Sequence, residues 1–280
     1  MKKLLITGCN GQLGRALNRE YRDARAELIN LDSQKLDISS LDSVMQAVRS
    51  CRPDVIINCG AMTAVDLCET ERDRAFRINA LGPRNLGIAA METGAKVFQI
   101  STDYIFSGES KRPYIETDTA HPQSVYGQTK LEGEQFIRDF AQRYFIIRTA
   151  WMYGDGKNFA ATMLRLSQAN DKVRVVGDQT GTPTSAAELA KMIHVLEPTE
   201  NYGVFHGTCE GACSWAEFAE EIFRQAGRKT AVEHITTEEF AAPAKRPAYS
   251  VLDNRMLRLT TDFRMMEWRD ALSIYMREIL

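Results

Sequence analysis

Residues Leu4–Leu17 read LLITGCNGQLGRAL. An apolar run stops at Ile6, glycines follow at Gly8, Gly11 and Gly14, and a helical pattern of apolar residues begins at once. This predicts a strand that turns tightly into a helix. A tight turn, a close approach of backbone to a pyrophosphate and close packing of helix on strand all require residues without a Cβ. The helix N-terminus would then offer free N–H groups and partial positive charge to phosphates. The spacing also suits a turn that merely lets strand and helix pack. Its position at the head of a β-α-β unit favours the dinucleotide cradle.

Outward from this turn the chain alternates. AELINLD is strand-like, SLDSVMQAVRSC is helical with Ser39 or Ser40 as its cap, and DVIINCGA is a continuous apolar run, as a strand covered on both faces should be. ERDRAFRINALGPRNLGIAAMETG reads as one long helix closed by Gly94. AKVFQIST is the next strand, SVYGQTKLEGEQF opens a helix, and YFIIRTA is a strand again. This alternation argues for an α/β fold, a doubly wound parallel sheet with helices on both faces. After Trp151 the rhythm loosens, although SWAEFAEEIFRQAG still shows a helix capped by Ser214 and ended by Gly227. The expected organisation is a dinucleotide-binding domain over residues 1–150 and a smaller substrate-binding lobe over 151–280, with some later elements returning to the first sheet.

The bulk numbers exclude more than they assign. A net charge of -2 over 280 residues gives no general attraction to nucleic acid or to an anionic membrane, so an anionic ligand needs a local site. The apolar start is too short for a signal peptide, and no segment approaches a membrane span. None of the six cysteines falls in a CxxC pair or in zinc-like spacing with the four histidines. Reduced thiols and a cytoplasmic location are expected.

Three further signals bear on chemistry. Asp32 ends the second strand 18 residues after Gly14, where an acid would accept a hydrogen bond from an adenosine ribose. An aspartate that only caps the turn would look the same, and Lys35 sits near enough to favour a 2′-phosphate instead. Asp37 and Ile38 follow where an adenine would lie. VFQISTDYIFSG ends an inner strand in Ser101 and Thr102, beyond which ligands of open α/β sheets sit; hydroxyls there also commonly satisfy backbone groups. Tyr126 and Lys130 lie four apart at a helix start, hence on one helix face. Together these form a carbonyl-reduction kit. Hydride reaches the carbonyl carbon, Thr102 holds the oxygen, and Tyr126 supplies the proton. A tyrosine pKa of about 10 lies some three units above neutrality, roughly 4 kcal/mol. A cation about 4 Å away at an effective dielectric near 20 contributes about as much. Lys130 is therefore expected to lower the phenol's pKa and to bond the nicotinamide ribose.

With Gly8-x-x-Gly11-x-x-Gly14, Ser101-Thr102-Asp103-Tyr104 and Tyr126-x-x-x-Lys130 in place, the chain resembles the extended short-chain dehydrogenase/reductases. DVIINCGAMTAVDLCE, PQSVYGQTKLEGE, RTAWMYG, VVGDQTGTPT, CSWAEFA and RPAYSVLD narrow the resemblance to the dTDP-4-dehydrorhamnose reductase family over nearly the whole chain. It implies a Rossmann-type fold and NADPH- or NADH-dependent reduction of the C4 ketone of dTDP-4-dehydro-L-rhamnose. It also implies Thr102, Tyr126 and Lys130 as catalytic residues. The implied cofactor contacts are Gly11, Gln12, Leu13, Asp32, Asp37, Ile38, Ala61, Met62 and Thr63, with Tyr104 bordering both cofactor and sugar. Thr102, Asp103 and Trp151 are the implied sugar contacts, Trp151 as a stacking wall. Arg246 pairs either with a diphosphate or with a surface acid. Cys59, Gly60 and Met62 depart from the family's usual pocket lining. Ala16 stands where some members place an acid of a metal-linked dimer, so no such metal is expected, and a monomer or a different homodimer. The competing readings are another sugar-nucleotide reductase, an epimerase or dehydratase, which would retain its NAD through the cycle, and a non-catalytic NAD(P)-binding regulatory subunit.

Overall fold

The computed structural model describes residues 1–280. β1 (Lys2–Thr7), β2 (Ala26–Leu31), β3 (Val55–Asn58), β4 (Lys96–Thr102) and β5 (Tyr144–Thr149) form one sheet with the strand Gly203–His206. The spatial order is Gly203–His206, β5, β4, β3, β1, β2, and every pairing is parallel. Every residue of β3 and β4 is buried, as the continuous apolar runs of central parallel strands require.

Alternate strand residues feed two cores. On one face Leu4, Ile6, Ile57, Phe98 and Phe145 pack under α1 (Gln12–Glu20) and the helix Ala186–Leu196. On the other, Leu5, Ile56, Val97 and Ile146 pack under α2 (Leu41–Cys51), α5 (Gly82–Thr93) and α6 (Val125–Phe140). Between β3 and α5 run α3 (Val65–Thr70) and α4 (Arg72–Phe76). The first core also takes in Phe205, Leu257 and Met265. Later parts of the chain thus complete the sheet and its covering, and Ala16 lies buried in the same core. A separate core around Phe218, Trp268 and Tyr153 holds the remainder of the second half, where Ser214 and Glu217 close a reciprocal cap.

One open choice is settled and one reading changes. Ser40, not Ser39, caps α2, because Ser39 bonds back to Asp37. The helix expected to run unbroken to Gly94 instead widens into a π-helical turn at Arg77–Leu81. Within it Asn79 reaches the backbone of Met62, accepting from its N–H at 2.8 Å and donating to its carbonyl at 3.1 Å. Gly94 does close the helix, at φ 73. No helix is long and apolar enough to cross a membrane.

His206, at the end of the returning strand, is fully buried, and its Nδ1 lies 3.1 Å from the carbonyls of Tyr114 and Asp253. Burial, with the nearby Arg148 guanidinium, holds its pKa down at about 3. The unfolded chain therefore binds one more proton than the native state between about pH 6 and pH 3. That part of the stability is complete above the ordinary histidine value and is lost as pH falls, at roughly 1.4 kcal/mol per pH unit. Acid titration followed by denaturant unfolding is expected to show a shallower slope for His206→Gln; an identical slope in both proteins refutes the assignment.

Candidate active site

The strand order reverses between β1 and β3, and the crevice of an open α/β sheet lies there, beyond the carboxyl ends of the strands. The cleft at this place has a volume of about 1130 Å³. Its floor is a chain of buried side chains across three strands. The Thr7 hydroxyl donates to Asn58 at 2.6 Å, and the Asn58 amide donates to Gln99 at 2.7 Å.

The glycine loop forms one wall. Gly8 sits at φ +60, and a Cβ there would stand 2.8 Å from the Gly60 nitrogen, so both the turn and the close approach exclude a side chain. A Cβ on Gly14 would overlap the Cys9 backbone at 2.5 Å. Gly14 is accordingly the packing glycine and stays out of the cleft, while Gly8, Gly11, Gln12 and Leu13 line it. No side chain caps α1, which leaves its first N–H groups open toward the cleft. Bare backbone, open N–H donors and a space of this size fit a dinucleotide's pyrophosphate.

Asp32 is both a turn aspartate and a cleft residue. It accepts from the Gln34 and Lys35 amides and from the Asn10 side chain at 2.8 Å, and it lines the cleft with Ser33 and Gln34. Lys35 is exposed and outside that lining. Asp37 and Ile38 also face the cleft, and the Ile38 carbonyl is fixed by Asn85 at 2.9 Å. Ala61, Met62 and Thr63 form the β3 side, held through Met62 by the Asn79 clamp.

At the end of β4 the two hydroxyls part. Ser101 donates to the buried Glu134, which is also paired with Arg148 at 2.8 Å. Thr102 faces the cleft, accepting from the Tyr104 N–H at 3.2 Å and donating to Asp103 Oδ1 at 3.0 Å. Asp103 is almost fully buried, and burial lifts its carboxyl to about 6. Tyr104 and Tyr126 meet edge to face, 5.4 Å between ring centres, and the Thr102 hydroxyl faces the Tyr126 phenol, favouring its ionised form.

Lys130 overturns part of the electrostatic expectation. Its ammonium donates to the Ile100 carbonyl at 2.6 Å, and burial pushes its pKa down to about 8. Burial pushes Tyr126 upward, against the Thr102 hydrogen bond, with Asp103 adding to the rise. Removal from water dominates at both groups, and the Lys130 ammonium is not among the influences on the phenol.

Trp151 lines the cleft, but one face of its indole is already stacked on Trp215, 3.6 Å away and nearly parallel. Gly181 presses on the same indole so closely that a Cβ would stand 2.5 Å from it. The expected stacking wall is therefore backed by two distant segments. Trp151 also adopts φ 47, a left-handed conformation that a bulky residue takes only when its surroundings enforce it. Arg246 does not line the cleft. It clamps both oxygens of Asp66 at 2.9–3.0 Å, which holds that carboxyl below the usual range. Sequence reasoning missed Asn10, Asn58, Asn79, Asn85 and Trp215. Asn10 was hidden in the glycine turn, and the other asparagines were visible only as polar residues inside otherwise apolar helix and strand patterns.

The whole chain, residues 1–280, matches the family model described as the RmlD substrate binding domain. The spore coat polysaccharide biosynthesis protein SpsK of Bacillus subtilis is 40% identical over 99% of this chain and 98% of its own. The solved dTDP-4-dehydrorhamnose reductase of Clostridium acetobutylicum is 50% identical with a TM-score of 0.98, covering 99% of both chains. That of Bacillus anthracis, in complex with NADP, is 43% identical with a TM-score of 0.97, covering 99% of this chain and 100% of that one.

Proposed function

The chain belongs to the dTDP-4-dehydrorhamnose reductase family and is an oxidoreductase, and we propose that it reduces the C4 ketone of dTDP-4-dehydro-L-rhamnose to dTDP-L-rhamnose. The observation behind this reading is the convergence of Thr102, Tyr126 and Lys130 on one cleft with the glycine loop. The nicotinamide cofactor, NADPH or NADH, supplies the hydride. The loop residues Gly8, Gly11, Gln12 and Leu13 would hold its pyrophosphate, Asp32 its adenosine ribose, Asp37 and Ile38 its adenine, and Ala61, Met62 and Thr63 its middle. Tyr126 donates a proton to the oxygen that gains charge, and Thr102 bonds the same oxygen. Lys130, one helical turn deeper, would hold a ribose hydroxyl and favour the phenolate after proton transfer. Residues 151–280 contribute most of the sugar side, with Trp151 and Trp215 as its wall. All six cysteines are free thiols, which suits a reducing cytoplasm.

The test is oxidation of NADPH or NADH on addition of dTDP-4-dehydrorhamnose formed in situ, with identification of the product. Stoichiometric dTDP-rhamnose is expected. Absence of turnover refutes the reading, and an epimerised product with NAD retained on the protein replaces it by the epimerase alternative. Gly181→Ala is expected to displace Trp151 and to raise the KM for the sugar several-fold while leaving cofactor binding unchanged. An unaltered sugar KM would remove the indole pair from the substrate side.

A further inference from the structure

We propose that Asp103 is a positioning residue that sets the direction of the Thr102 hydroxyl: as a carboxylic acid it turns the Thr102 proton toward the substrate oxygen and the Tyr126 phenol, and as a carboxylate it turns that proton away. The inference rests on the reductase reading above and deepens it.

The argument is a count of donors and acceptors. A threonine hydroxyl has one proton and two lone pairs. One lone pair of Thr102 takes the Tyr104 N–H, and Asp103 Oδ1 lies 3.0 Å away. A carboxylate only accepts, so an ionised Asp103 claims the single Thr102 proton. Thr102 then has one lone pair left for the cleft. It can accept the Tyr126 proton, which faces that proton inward, but it has nothing to give to a ketone oxygen. A protonated Asp103 reverses the chain. Its O–H fills the second lone pair of Thr102, and the Thr102 proton is free to point at the phenol or the ketone oxygen. Tyr126 can then aim its own proton at the substrate, and the phenolate left behind gains a hydrogen bond.

The surroundings of Asp103 allow both states near neutrality. Its side chain is almost fully buried, and Oδ2 makes no hydrogen bond that meets ordinary geometry. The groups that face it are Thr102 on β4, Tyr104 in the next turn, Tyr126 on α6, and Ser250 from the extended segment before Asp253. None is a cation. The nearest charges lie beyond them. Asp66 and Arg246 neutralise each other behind Tyr104, and the Lys130 ammonium is turned onto the Ile100 carbonyl. With hydroxyls and amides alone to support the charge, burial lifts the carboxyl to about 6. A filled cleft excludes further water and acts in the same direction.

The test is the pH profile of kcat/KM for sugar reduction between pH 5 and pH 9, using the full-length enzyme. The wild type is expected to lose rate as pH rises above a limb near 6 to 7, by up to tenfold per pH unit. Asp103→Asn places an amide donor permanently against Thr102. It is expected to abolish that limb and to exceed the wild type at pH 8. In a Thr102→Val background, Asp103→Asn should leave the shape of the profile unchanged. Ser250→Ala removes a group that favours the carboxylate and should move the limb to higher pH. A limb that persists in Asp103→Asn, or one that stays in place in Ser250→Ala, overturns the proposal. Wild-type protein that reduces no dTDP-4-dehydrorhamnose at any pH sinks the substrate reading instead. Infrared spectroscopy of the cofactor-bound protein then decides the Asp103 question without turnover. A protonated-carboxyl band at pH 6 that is absent from Asp103→Asn and shifted in Thr102→Val supports it, and no such band in the wild type refutes it.

Discussion

Tyr126→Phe is expected to lower kcat by about 10³-fold, within the range that a general acid contributes, and to leave cofactor affinity within about twofold. The separation follows from the geometry. The Tyr126 ring packs edge-on against Tyr104, a contact that phenylalanine keeps. The hydroxyl faces Thr102 and has no direct tie to Lys130, whose ammonium is on Ile100. Removing one oxygen thus takes away the proton source and little else. Single-turnover reduction, with cofactor binding measured separately by fluorescence, checks both halves. Turnover near the wild-type level would sink the proton-donor role.

The second large effect is expected at Lys130. Lys130→Met should weaken cofactor binding by tenfold or more and lower kcat by roughly a further hundredfold. Methionine keeps an unbranched chain, one atom shorter, and fills most of the buried space. It removes an ammonium that donates to the Ile100 carbonyl, so the carbonyl also loses a buried partner. The burial that holds Lys130 at about 8 gives the prediction a pH signature. The ammonium is present below that value and is lost as pH rises through it. Cofactor affinity of the wild type should therefore fall between about pH 7 and pH 9, and that of Lys130→Met should stay flat. A variant that loses rate alone, with unchanged affinity at every pH, contradicts the ribose-holding role.

The parts of this site that were legible in the sequence are those made by neighbours along the chain. The glycine loop declares itself because turn, backbone approach and helix packing all fall within Gly8–Gly14. The Tyr126–Lys130 spacing declares a shared helix face. What was not legible depends on partners remote in sequence. Nothing near Asn79 announces that it will clamp Met62 and open a π-helical turn to do so. The wall made by Trp151 is held in place by Trp215 and Gly181, far along the chain. The choice left open for Arg246 depended on Asp66, on a short helix that the apolar pattern did not reveal. Burial was the quantity most misjudged. In sequence a lysine near a phenol reads as a pair of charges, whereas the fold desolvates both and puts an acid, Asp103, beside the phenol.

The strand Gly203–His206 has a consequence for how the molecule is made. It covers the outer edge of β5, whose Phe145, Ile146 and Ile147 are completely buried in the finished protein. During synthesis β5 is available long before its partner exists. At translation rates of about 5–20 residues per second, the interval from residue 149 to residue 206 lasts roughly 3–11 s. Throughout it the nascent sheet presents an apolar, unpaired margin of the kind that templates association between chains. The enzyme's yield in the cell should therefore depend on chaperone capture of this intermediate, and a pause in translation between these two strands should prove more harmful than one after the second.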